Sequence, residues 1–188
     1  SSDEYGNNSS PQNEKVREDP ISPYSLAKVS STHFLQMLSK TEEFPSVIIR
    51  LFLTYGPGQN NRRFIPQVIT GCLKGDNFSA SLGEQKRDFL YIDDTVEAIF
   101  RLLNTNDIDG QIFNIASGNP IRIRDIVKKI KILVNNGTPN YGAIPYRKEE
   151  NMLLYADISK LKKVINWSPK ISLEDGLIKT ISWYKNFI

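Results

Sequence analysis

The sequence has one cysteine, Cys72, and one histidine, His33. A single thiol excludes an internal disulfide and suits a reducing compartment, so a cytoplasmic location is expected. One His and one Cys leave a dedicated zinc site without its ligands, and no metal is expected. No run is long and apolar enough to form a membrane span. Lys and Arg are not gathered into a long tract, and the net charge is only +3. Neither a membrane nor a nucleic acid is therefore expected as a partner, whereas a small anionic ligand suits this mild balance. Internal repeats and low-complexity tracts are also absent. What remains is a globular composition, 39% hydrophobic over 188 residues, enough for one domain or one and a fraction.

Residues 7–23 are polar and carry Pro11, Pro20 and Pro23. They read as a loop leading into a helix over 24–40, with Leu26, Val29, Phe34, Met37 and Leu38 as its apolar set. Residues 46–52, apolar around Val47-Ile48-Ile49, predict a buried strand. Further helices are predicted over 64–73, 94–103, 121–134, 158–165 and 172–187, and strands over 78–82, 111–115 and 151–156. The helix over 121–134 has the clearest stripe, formed by Ile123, Ile126, Val127, Ile130, Leu133 and Val134. Ser172, with Asp175 three residues on, is a capping-type start. Asp93-Asp94 resembles a metal or acid pair, but capping of the following helix by one of the two is the preferred reading. Trp167 and Trp183 read as core anchors, and His33 as packed or exposed.

Tyr24-Ser25-Leu26-Ala27-Lys28 carries the most chemical information. Residues four apart on a helix share a face, one turn apart. An ammonium so placed favours the phenolate, which suits a Tyr to general-base work near neutral pH. Around this pentad stand Ser1-Ser2-Asp3-Glu4-Tyr5-Gly6, Arg50-Leu51-Phe52-Leu53-Thr54-Tyr55-Gly56-Pro57-Gly58-Gln59, Arg87-Asp88-Phe89-Leu90-Tyr91-Ile92-Asp93-Asp94 and Phe113-Asn114-Ile115-Ala116-Ser117-Gly118.

In that order the motifs resemble the extended short-chain dehydrogenase/reductase family, and more narrowly its NAD-dependent nucleotide-sugar epimerases, dehydratases and reductases. The resemblance runs from Ser1 almost to Ile188. It implies an α/β fold, with part of a Rossmann-type, NAD(P)-binding parallel sheet and a smaller α/β C-terminal substrate domain. Residues 1–60 would be the C-terminal part of the dinucleotide-binding domain. Residues 61–188 would be mainly the nucleotide-sugar domain, with about 88–118 returning to the sheet. The family's Gly-rich loop brings backbone close to a pyrophosphate at a helix N-terminus. No G-x-x-G-x-x-G or G-x-G-x-x-G follows an apolar strand here. Gly56-Pro57-Gly58 is too short, and its Pro removes an amide donor. The resemblance thus implies the C-terminal part of a longer enzyme, with the NAD or NADP site largely in the absent half. By itself this part is expected to be inactive, or to serve as a sugar-nucleotide-binding subunit.

The resemblance also implies roles. Tyr24 would be the acid/base on a sugar hydroxyl. Lys28 would hold the ribose hydroxyls and favour the phenolate. Ser1, five residues before Gly6, would hydrogen-bond the sugar oxygen, with Ser2 as the alternative. Dehydratases of the family carry Thr-Asp-Glu at this turn. Without a gap this chain has Ser1-Ser2-Asp3, lacking the acid pair; a one-residue gap would restore it as Asp3-Glu4. Phe52 stands where relatives pack the nicotinamide face. Leu53 stands where relatives commonly place a substrate-contacting Asn, although core packing is its preferred reading. Arg87 and Arg147, with Arg62 or Arg63, would clamp a nucleoside diphosphate, because a guanidinium offers phosphate a planar fork of donors. Glu150 would accept from ribose hydroxyls. Asn114 reads as structural. The implied reaction is oxidation and reduction at the sugar C4, as in a UDP-glucose 4-epimerase, with a 4-keto-sugar reductase or a 4,6-dehydratase as alternatives. A homodimer through the Tyr24/Lys28 helix is implied as well.

Overall fold

The computed structural model describes residues 1–148 and 150–187. A short 3₁₀ turn, Ser2–Tyr5, comes first, and six α-helices and eight strands follow among the described residues. Helix α1 spans Pro23–Thr41. It starts where Pro presets the helical φ at the first position. Ser22 caps it, with its hydroxyl accepting from Ser25 N at 3.1 Å while Ser25 Oγ accepts from Ser22 N at 2.9 Å.

Strand β1 (Ile48–Leu51) pairs in parallel with β5 (Ile112–Ile115), and Arg50 faces Asn114 in the register. Beside it, β2 (Leu53–Tyr55) pairs in parallel with β4 (Lys86–Tyr91). β4 also pairs antiparallel with β6 (Pro120–Arg122) and parallel with β8 (Leu153–Leu154). β3 (Asn77–Ala80) and β7 (Thr138–Tyr141) form a separate parallel pair. Parallel pairing requires a crossover, and the helices between strands supply it. The protein is an α/β fold, as its sequence predicts.

Three apolar clusters hold these layers together. α2 (Phe64–Lys74), α4 (Ile123–Val134) and α6 (Leu173–Lys185) bury Ile65, Ile69, Ile126, Ile130, Leu177 and Ile181 together. α3 (Ile92–Leu103) and α5 (Ser159–Ile165) cover Phe113 and Ile115 of β5, with Trp167 buried among them. A small cluster of Tyr5, Phe52, Ala116, Ala156 and Ile158 lies beneath the Ser2–Tyr5 turn.

Three expectations change. α1 buries only Val29 of its apolar set: Leu26, Phe34 and Met37 are exposed, Leu38 is half-buried, and Ser25 and Thr32 complete the buried face. That face meets a polar partner, which explains its small and hydroxylic residues. Neither Asp93 nor Asp94 caps α3, whose N-cap is Tyr91 with no side-chain bond. Asp94 is instead buried and accepts from Lys170 N and Ile171 N at 3.1 and 3.0 Å, anchoring the approach to α6. Four strands also go beyond the predicted set: β2, β4 within the Arg87-to-Asp94 motif, β6, which takes the start of the helix predicted over 121–134, and β7, whose Thr-Pro-Asn-Tyr carries no apolar alternation.

Candidate active site

The N-terminal turn of α1 presents Tyr24, 55% exposed, together with exposed Lys28. The Lys28 ammonium lies 5.5 Å from the centre of the Tyr24 ring. Both side chains therefore leave the helix on one open face, as a spacing of four requires.

The Ser turn docks on the neighbouring, buried face of the same helix. Ser1 caps the 3₁₀ turn, its hydroxyl accepting from Asp3 N at 3.3 Å. Ser2 is buried and Asp3 is exposed. Glu4 points inward, and its Oε2 accepts from Thr32 Oγ1 of α1 at 2.8 Å and from Arg50 Nε at 3.0 Å. The Arg50 side chain is fully buried and reaches Glu18 Oε1 through Nη2 at 2.5 Å. His33, largely exposed, stands 3.5 Å from the other Glu18 oxygen. Burial works against the charged form of Glu18, but hydrogen bonds from its backbone and from Arg50, with the Arg50 and His33 charges, hold its carboxyl below the usual range. Tyr5 stacks beneath the Arg50 guanidinium at 4.6 Å and donates from its hydroxyl to Asn114 Oδ1 at 2.7 Å. Asn114 has the structural role expected of it: it is buried, and its Nδ2 donates to Gln12 O.

Phe52 is 5% exposed and packs on Tyr5 with ring centres 6.3 Å apart. Its ring is spent inside the chain, which leaves little of it for a nicotinamide. Leu53 does the reverse of core packing, because strand alternation turns it outward at 38% exposure.

A second polar group lies on β4 and the segment before β8. Arg87 forms an ion pair with Glu150. Burial lowers the Arg87 guanidinium below its ordinary range; nearby Arg147 adds to the effect and Glu150 opposes it. Glu150 thus pairs with Arg87, and Arg147 lies near enough for its charge to act on Arg87. Arg62 and Arg63 are exposed at the start of α2 and do not join this pair. Beside Arg87, buried Asp88 gathers four donors: Ser117 N at 2.7 Å, Ser117 Oγ at 2.5 Å, Gly118 N at 2.9 Å and Ala156 N at 3.3 Å. Burial pushes the Asp88 carboxyl up, against the pull of those donors.

The motifs assign no role to Arg50, Glu18, Thr32 or Asp88, and give Glu4 one only as half of the gapped dehydratase acid pair. One signal was available. Arg50 interrupts the apolar run Val47-Ile48-Ile49, and a charge in a buried strand demands a buried partner. Nothing in the sequence says that the partners lie 46 and 32 residues upstream.

A family model described as GDP-mannose 4,6 dehydratase matches residues 1–180. The chain belongs to this family. Its relatives make up the NAD-dependent epimerase/dehydratase group of the extended short-chain dehydrogenase/reductase family, and by descent the chain is a member of that group. A dTDP-glucose 4,6-dehydratase of Escherichia coli is 29% identical over 185 residues, covering 92% of this chain and 51% of that protein. A UDP-glucuronate 4-epimerase of Thermodesulfobacterium geofontis is 30% identical over 187 residues, covering 98% of this chain and 57% of that protein. The crystal structure of the UDP-glucuronic acid 4-epimerase of Bacillus cereus, in complex with UDP-glucuronic acid and NAD, superposes with a TM-score of 0.91 at 30% identity, covering 99% of this chain and 60% of that one. The family's Rossmann-type architecture is thus present in this member, which spans about half the length of the curated relatives it matches. No helix among the described residues is long and apolar enough to cross a membrane.

Proposed function

We propose that the whole protein is an NAD(P)-dependent nucleotide-sugar 4-epimerase, with Tyr24 as its general acid/base. The observation that carries this reading is the Ser1 turn docked on the helix that presents Tyr24 and Lys28. Tyr24 Oη takes the proton from the C4 hydroxyl as hydride leaves C4, and returns it to the same oxygen when hydride comes back to the opposite face of the 4-keto sugar. Ser1 Oγ hydrogen-bonds the same sugar oxygen and steadies that transfer. Lys28 binds ribose hydroxyls. Two exposed polar groups, one turn apart, fit this task, so a nicotinamide dinucleotide fits beside them. When bound, NAD or NADP supplies a hydride acceptor and donor. Arg87 and Arg147 hold the diphosphate of the substrate, Glu150 and Leu53 contact it, and Arg63 reaches it from the start of α2.

A 4-keto-sugar reductase uses the same residues and is the second reading. A 4,6-dehydratase is less well supported, because elimination of water uses a free acid pair. Glu4 is committed to Arg50 and Thr32, so Asp3 is the one exposed carboxylate of this turn. The exposed residues Leu26, Phe34 and Met37 of α1 support a homodimer through that helix. A non-catalytic sugar-nucleotide-binding subunit is the reading of another class.

The test is to incubate the whole protein with NAD and a panel of UDP- and dTDP-sugars and to identify the products by NMR. The C4 epimer supports the proposal. A 4-keto-6-deoxy sugar indicates the dehydratase, reduction of added 4-keto sugar with NADPH indicates the reductase, and binding without turnover indicates the subunit.

A further inference from the structure

We propose that Arg50 is a positioning residue for the Ser1 and Tyr24 chemistry, acting through Glu4. This rests on the reading of Tyr24 and Ser1 given above.

The Arg50 side chain is fully buried in β1, yet none of its contacts stabilises β1 alone. Its Nε and Nη2 both reach Glu4 Oε2, at 3.0 and 2.9 Å. Nη2 also reaches Glu18 in the segment that leads into α1. Glu4 passes the constraint on in two directions. Its Oε2 accepts from Thr32 of α1, and its Oε1 accepts from the Ser1 nitrogen at 2.8 Å. One guanidinium thus ties strand, Ser turn and Tyr24 helix into a single rigid unit. Thr32 lies two turns along α1 from Tyr24, on the buried face with Ser25 and Val29. Reaction between a sugar oxygen, Ser1 Oγ and Tyr24 Oη needs these groups held to a fraction of an ångström, and a fully buried fork supplies that stiffness better than an exposed contact. Arg50 itself touches neither proton nor substrate.

The test uses the whole protein and the variants Arg50→Lys, Thr32→Val and Ser1→Ala, singly and in pairs. Lys keeps the charge but cannot reach both Glu4 and Glu18 as a fork. Val keeps the shape of Thr32 and removes only the donor. Arg50→Lys should lower kcat about 10- to 100-fold, with KM for the sugar nucleotide within about threefold of the parent. Thr32→Val should lower kcat about three- to tenfold with nearly unchanged thermal stability. Both effects should largely vanish in the Ser1→Ala background, because the turn then carries no hydroxyl to position. Equal fold losses in both backgrounds overturn the proposal, as does an unchanged kcat in the singles. Should Arg50→Lys fail to fold, Thr32→Val decides alone. Tyr24→Phe separates the two levels. Its retained turnover overturns the site reading itself, whereas its loss beside normal Arg50→Lys and Thr32→Val rates overturns only the role of Arg50.

Discussion

Arg50 and Asn114 face each other across β1 and β5, and each holds one residue of the Ser2–Tyr5 turn. Arg50 takes Glu4 by its carboxylate, and Asn114 accepts the Tyr5 hydroxyl. The turn beside α1 is therefore held from the sheet by two adjacent, buried anchors. Rigidity at this point comes from side chains of distant segments, which a short turn does not supply for itself.

Asp88 is the acceptor for a second junction. Truncation to Ala leaves the buried amide of Ala156 and the half-buried amides of Ser117 and Gly118 without their acceptor. A loss of about 3 kcal/mol in urea unfolding is expected, since unsatisfied buried donors cost more than the bond itself. Asp88→Asn should recover part of it, because one amide oxygen remains. Stability of Asp88→Ala equal to the parent contradicts this.

Glu18 makes stability depend on acid. Its carboxyl is held below the ordinary value of 4.5 in the fold, so the folded state favours the charged form. The contribution is fully present above the unfolded value and is lost as pH falls through the lower, folded value. Unfolding monitored from pH 6 down to about pH 3 should therefore weaken more steeply in the parent than in Glu18→Gln. Parallel curves rule the effect out.

Cys72 should be inert. It is fully buried on α2, in the cluster that α2 shares with α4, and burial pushes its thiol up to about 11. A thiol reagent at pH 8 should label it only after denaturation, because the thiolate is the nucleophile. Rapid labelling of the native protein would show that α2 and α4 part locally.

Gly176 sits inside α6, where Ala ordinarily favours a helix by about 1 kcal/mol. A Cβ here would come 2.2 Å from Tyr55 Oη and 2.9 Å from the Tyr91 ring. Both tyrosines are buried, so Gly176→Ala should lose about 2 kcal/mol in spite of propensity. A stabilised variant in thermal melts refutes the close approach.

Arg87 bears on binding. Arg87→Lys keeps the charge and loses the fork. On the function proposed, KM for the sugar nucleotide should rise about tenfold or more with kcat nearly constant, as for an interaction made equally in ground and transition states. A fall confined to kcat points to a different role.

Much of the architecture was legible because it is local. Pro23 after Ser22, the stripe through Ile126 and Ile130, and Ser172 ahead of Asp175 set helix starts and faces through contacts within one turn. The Tyr24 and Lys28 pair was legible for the same reason, since their spacing alone puts them on one face. β7 was not, because Thr-Pro-Asn-Tyr becomes a strand only where β3 offers it an edge.

By itself the sequence determined the α/β class, the family and the exposed Tyr24–Lys28 pair, all of which depend on near neighbours or on ordered motifs. Only the tertiary structure decided what α1 buries, that Asp94 anchors Lys170 and Ile171, and that Glu4 is committed to Arg50. Those outcomes depend on residues dozens of positions apart. A buried charge must find its counterpart, but which counterpart is a matter of folding geometry.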